Sequence, residues 1–186
     1  GVAAWSDESG NARNATQGNV ANQPAFKTNI QNGLPVVRFD GGDDYLGYAG
    51  SFLASADYTI FVVQARGDTG QNYVLEGTEN VTDRNLHFGY RSDGVFTHAQ
   101  YANDYDMTVA AYGLSEFTIF SADLDAAGGN GKHTWRNGNF LGGKANNTQL
   151  ISYTGSAIGG RTGGYKGDIA EIVMYTRCLT AVERQL

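Results

Sequence analysis

Tight-turn signals separate short apolar runs along most of this chain, and that punctuation limits what it can fold into more than any single motif does. Leu86 to Tyr90 and Val95 to Tyr101 flank Arg91-Ser92-Asp93-Gly94, where Asp-Gly marks a two-residue hairpin. Phe117 to Leu124 runs into the glycine turn Asp125 to Gly131. Lys132 to Arg136 returns, and Asn137-Gly138 turns the chain again into Asn139 to Leu141. Two hairpins in succession make an antiparallel meander. Tyr58 to Ala65 is almost continuously apolar, the pattern of a strand covered on both faces. Leu34 to Leu46 reads as two short strands joined by Gly41-Gly42, and Leu150 to Ser152, Ala157 to Gly160 and Lys166 to Tyr175 supply further strands. About a dozen strands without intervening helices predict an all-β fold, a two-sheet antiparallel sandwich of jelly-roll type.

Composition agrees. The 186 residues include 26 Gly, 11 Tyr and 9 Phe but only 2 Pro, which suits short strands with tight turns. Val2 to Asn32 is rich in Asn, Gln, Ala and Ser, so it predicts loops with an edge strand near Ala25 to Thr28. Thr180 stands three residues before Glu183, a capping box that predicts a short helix start at the C-terminal end. No fixed-period repeat or linker divides residues 1–186, so a single domain is expected. Gly155 to Gly167 reads as loops at one end of the sandwich. The chain does not open on Met, so it is expected to be excised from a longer protein.

A formal charge of −6 without any Lys or Arg cluster argues against nucleic acid as a partner. No apolar run reaches the roughly 20 residues that cross a bilayer, so membrane insertion is not expected. Cys178, the one cysteine, excludes an internal disulfide and is expected to be an inert buried thiol. The sequons at Asn14, Asn80 and Asn146 carry no weight in a chain this rich in Asn and Thr.

Three elements in order carry a family resemblance. Near the start stand Trp5, Asp7, Ser9, Gly10 and Asn11; then Arg38 to Gly41 with Asp43 to Leu46; finally Gly167 to Glu171, Tyr175, Arg177, Leu179, Glu183 and Arg184. Together they resemble bacterial and phage laminin G-like domains of the concanavalin A-like lectin and glucanase superfamily. The resemblance implies a jelly roll that binds glycans or mediates adhesion without catalysis. It also implies an extracellular, cell-surface or virion location beside other domains of a larger parent. A structural or protein-contact module is the alternative, and a glycoside hydrolase a more distant one. The superfamily's Glu-x-Asp-x-x-Glu strand is absent, and Asp123 and Asp125 stand where a strand enters a turn.

Sugar recognition needs aromatic faces beside planar polar groups. Tyr90, Arg91, His98, Tyr101, Asn103, Asp104, Tyr105 and Trp135 supply both kinds, with Tyr101 to Asp106 expected in a loop just past a strand. Arg161 and Tyr165 flank glycines that let a ligand approach the backbone closely. Alternation sets His87 against Leu86 and Phe88, and His98 against Val95 and Thr97. Both histidines are therefore expected on the outer or groove surface. Trp5 is expected in the core. The resemblance further implies a structural calcium ion near strand ends, where Asp40, Asp43, Asp44 and Asp168 are the matching carboxylates. Capping of turn amides is the other use for those four.

Overall fold

A computed structural model describes residues 1–110, 113–145, 148–160 and 164–185. Its strands are β1 (Ala4–Trp5), β2 (Ala15–Thr16), β3 (Ala25–Gln31), β4 (Leu34–Asp40), β5 (Leu46–Gly47), β6 (Tyr58–Arg66), β7 (Asn72–Glu76) and β8 (Leu86–Ser92). They continue with β9 (Val95–Gln100), β10 (Asn103–Thr108), β11 (Thr118–Asp125), β12 (Gly131–Arg136), β13 (Asn139–Lys144), β14 (Ala157–Ile158) and β15 (Lys166–Tyr175). One sheet has eight strands in the order β1-β2-β5-β14-β7-β8-β9-β10. The other has seven, in the order β13-β12-β11-β6-β15-β4-β3. Their pairings are antiparallel, so the expected sandwich is observed.

The strongest sequence signals sit where the pattern places them. The apolar run at Tyr58 becomes β6 in the middle of the seven-stranded sheet, between β11 and β15. The Asp93-Gly94 turn joins β8 to β9 with Ser92 opposite Val95. The meander β11-β12-β13 forms as expected, and β3 lies at a sheet edge. Thr180 and Glu183 close the capping box: Thr180 N donates to Glu183 Oε2 at 2.9 Å and Glu183 N to Thr180 Oγ1 at 3.3 Å. Only a single 3-10 turn, Glu183–Gln185, follows among the described residues.

Three local expectations are corrected and one strand is added. β4 and β5 are not a hairpin: β4 pairs with β3 and β15, whereas β5 crosses to the other sheet between β2 and β14. Asn103–Thr108 is not a loop but the edge strand β10, paired along its length with β9. Its Asn and Asp residues look like turn residues, yet the bend falls earlier, at Ala102 with φ +60°. Leu150 to Ser152 forms no strand and is tied down by separate bonds, Ser55 N to Leu150 O and Ile151 N to Asp83 O. β7, finally, is a strand the sequence reading missed.

The core lies between the layers. Phe96 of β9 stacks on Phe120 of β11 with ring centroids 3.9 Å apart, which couples the two sheets directly. Phe88 and Tyr90 meet this pair edge-on at 5.0 and 5.3 Å from Phe96. Each such ring removed from water stabilises the fold by about 2 to 3 kcal/mol. Trp5 packs partly buried against the same core. Among the described residues no helix is long and apolar enough to cross a membrane.

Candidate functional site

Because Leu86, Phe88 and Tyr90 point into the core, the alternate residues His87, Gly89 and Arg91 of β8 face outward. Register then sets beside them Tyr73 on β7 and Asp104 and Asp106 on β10. A groove of about 510 Å³ lies on this face, lined by Tyr73, Glu76, His87, Arg91, Tyr101 and Asp104, with Gln71, Thr78 and Asn80 at its rim.

The groove is built by ring contacts and one ion-pair fork. His87 stacks on Tyr73 at 5.2 Å and meets the edge of Tyr101 at 5.9 Å. Asn85 Nδ2 donates to His87 Nε2 at 2.8 Å, which requires that nitrogen to be unprotonated. Burial pushes the His87 pKa down, against the opposing charges of Glu76 and Asp104. The imidazole is therefore neutral at physiological pH. Arg91 Nη2 donates to Asp104 Oδ2 at 2.6 Å, and Nη1 lies 3.1 Å from Asp106 Oδ2. Between His87 and Arg91, Gly89 lets β8 lie close against β7: its φ is +149°, and a Cβ there would come within 2.3 Å of Asn72 O.

Of the residues expected to bind sugar, Arg91, Tyr101 and Asp104 come together here. Tyr90 does not: it is 1% exposed in the core, with the Arg66 guanidinium 4.1 Å above its ring. His98, expected outside, is fully buried, its Nε2 hydrogen-bonded with the Tyr58 hydroxyl at 2.9 Å. His98 does oppose Val95 and Thr97, but the inward face is the one it shares with Phe96, so the choice of Val95 and Thr97 as the core-facing set was the error. Tyr165 is likewise buried, its hydroxyl donating to Gln64 Oε1 at 2.6 Å. Tyr105 points inward, partly buried against the core beside Gly142. Asn103 holds the strand end, with its Nδ2 on Asp83 and its carbonyl accepting from Lys132 Nζ at 2.7 Å. Arg161 lies outside the described residues. Tyr73 and Glu76 were missed along with β7; the apolar Tyr-Val-Leu run beside them is the signal that would have found them.

Lysines from the other layer brace the groove's outer strand. Lys132 is fully buried, and Lys144 Nζ donates to Asp104 O at 2.8 Å. Burial, with the charge of Lys144 beside it, brings the Lys132 ammonium down to about 7.

A second aromatic cluster occupies the outer face of the seven-stranded sheet. Trp135 lies 5.6 Å from Phe140 and 5.8 Å from His133, with Arg184 4.1 Å above its ring. Beneath them Asp123 is 1% exposed and fully engaged. His133 Nδ1 donates to its Oδ1 at 2.8 Å, and Arg184 Nη1 and Cys178 Sγ reach its Oδ2 at 3.1 and 3.5 Å. Burial, then the Asp123 charge, push the Cys178 thiol up to about 12, so it is a poor nucleophile.

No family model and no curated protein matches the chain. Solved structures do. Domain 4 of AbnA, an extracellular GH43 arabinanase from Geobacillus stearothermophilus in complex with arabinotriose, aligns with a TM-score of 0.68 at 14% identity, over 87% of this chain and 79% of that one. The CBM40 of Ruminococcus gnavus IT-sialidase bound to α2,3-sialyllactose gives 0.64 at 16% identity, over 86% and 95%. A heptameric SAP-like pentraxin from Limulus polyphemus gives 0.61 at 13% identity, over 78% and 77%. The likeness is one of fold, a sandwich of two antiparallel sheets.

In this jelly roll the carboxylates of Asp40, Asp43 and Asp44 converge within 4.8 Å where the chain passes from β4 to β5. Asp40 Oδ1 accepts from Gly42 N at 2.7 Å and Asp44 Oδ2 from Asp40 N at 3.1 Å, so both also cap the turn. Asp168 does not join them. It pairs in fork geometry with Arg38, at 2.6 and 2.8 Å, and that pair ties β15 to β4.

Proposed function

We infer that this protein is a non-catalytic carbohydrate-binding module and that its site is the groove on β7 to β10. The observation that carries the reading is the cavity's lining: two outward rings, His87 and Tyr101, beside Glu76, Asp104 and rim amides and hydroxyls. A pyranose or furanose ring stacks its apolar face on such rings while its hydroxyls meet the polar groups. The complexes of similar fold, with arabinotriose and with sialyllactose, support a glycan as the ligand class. The laminin G-like motifs support the same reading and an extracellular or surface setting beside other domains.

Two features support an absence of catalysis. Asp104 and Asp106 each give one oxygen to Arg91, and Asp123 is held by His133, Arg184 and Cys178 on the opposite outer face. Structural calcium belongs to this reading at Asp40, Asp43 and Asp44 only; a chelator then lowers the melting temperature, and an unchanged melting curve removes it. The binding reading is tested by titration calorimetry with glycans retained on an array. Tyr101→Ala is expected to weaken binding about tenfold, about 1.4 kcal/mol, with an unchanged melting curve. Full retention of affinity by that variant moves the site elsewhere.

A further inference from the structure

We propose that the groove selects neutral glycans and discriminates against acidic ones such as sialylated, uronate or sulfated sugars. The inference rests on the groove being the glycan site and adds the class of sugar. Recognition of a sugar carboxylate or sulfate needs a cation with donors to spare, most often an arginine fork. Among the described residues that line the groove, the one guanidinium is that of Arg91; its charge is offset by two carboxylates, Nη2 at 2.6 Å from Asp104 and Nη1 at 3.1 Å from Asp106, and its remaining Nε is buried out of a ligand's reach. Asp106 is fixed for this use, since Thr97 Oγ1 donates to its other oxygen.

The second group able to carry positive charge is His87, and the hydrogen bond it accepts from Asn85 keeps it neutral. Glu76 and Asp104 add carboxylates to the same wall. An incoming anion would be desolvated beside these oxygens with its natural partner already occupied, an arrangement that repels rather than recruits. Sugar hydroxyls face no such conflict. They donate to carboxylate oxygens and accept from the rim groups of Gln71, Thr78 and Asn80, while the ring stacks on Tyr101.

The test is a printed array of neutral arabinan, xylan, galactan and lactose-series oligosaccharides beside their uronate, sulfated and sialylated counterparts. Titration of the best neutral glycan and its matched acidic form follows. The neutral member is expected to bind at least about tenfold more tightly. Asp106→Asn and Asp104→Asn, tested separately so that one misfolded variant does not decide the matter, are expected to narrow that ratio by releasing the Arg91 fork. Preference for the acidic member by the unaltered protein overturns this proposal and leaves the glycan-binding reading standing. An unchanged ratio in both folded variants refutes the assigned cause of selectivity. Retention of no glycan at all overturns the parent reading as well.

Discussion

The outer faces of the two sheets each carry a histidine between aromatic rings, with a carboxylate and an arginine close by. On the eight-stranded sheet these are His87, Tyr73, Tyr101, Asp104 and Arg91; on the seven-stranded sheet they are His133, Trp135, Phe140, Asp123 and Arg184. The first set surrounds a groove of about 510 Å³, whereas the second stands on the sheet surface, with Arg184 laid over Trp135 and Phe140 58% exposed. The inventory of side chains is nearly the same, so residue type alone does not make a site. What differs is enclosure, and enclosure comes from the way β7, β8 and the β9–β10 hairpin frame a common hollow.

The contrast can be broken most forcefully through its glycines. Gly89→Ala, between the groove residues His87 and Arg91, drives a Cβ into Asn72 O and is expected to destabilise the fold by about 3 kcal/mol. Gly138→Ala, in the turn between β12 and β13 below the other cluster, meets nothing within 4 Å. Its cost is confined to the positive φ, about 1 kcal/mol. Urea unfolding of both variants reads the difference; equal midpoints would show that the two faces are equally tolerant. Next in size is Trp135→Ala. It loses ring packing and the cation-π contact, about 2 kcal/mol of stability, while glycan affinity stays at the unaltered value. A loss of affinity there without a loss of stability would make the second face the binding face.

The smallest effect concerns pH. His98 is buried and held neutral, and its pKa lies well below the ordinary value because burial, then the charge of Lys132, oppose protonation. In the unfolded chain it titrates near 6.5, so the unfolded state binds the proton more readily as the solution is acidified. Stability is therefore complete above about pH 6.5 and falls as pH drops below it. His87 adds a lesser contribution of the same sign. Melting temperature between about pH 6.5 and pH 5 should decline less steeply in His98→Gln than in the unaltered protein. His87→Gln should flatten it less. Identical slopes in all three proteins would count against the burial of either ring.

Sequence reading recovered what depends on neighbours along the chain. Asp93-Gly94 dictates a hairpin whatever surrounds it, and the apolar run of β6 has no better place than mid-sheet. It failed where the answer depends on distant strands. Tyr90 and Arg91 are adjacent, yet one is core and the other lines the groove, and only the register with β7 and β9 tells them apart. His98 was misplaced because Thr97 is also buried, so polarity does not mark the outward face. Leu46 was assigned to a hairpin with β4 because local turn chemistry permits one, while the opposite sheet claims it through Ile158.

Every groove residue named above, with the Asp106 that completes the Arg91 fork, falls between Gln71 and Asp106, one uninterrupted length of polypeptide. On the proposed reading, selectivity is a segmental property: exchanging that length with the matching piece of another jelly roll would transplant a ligand preference while leaving the remaining scaffold, and its inter-sheet stacking partner Phe120, untouched.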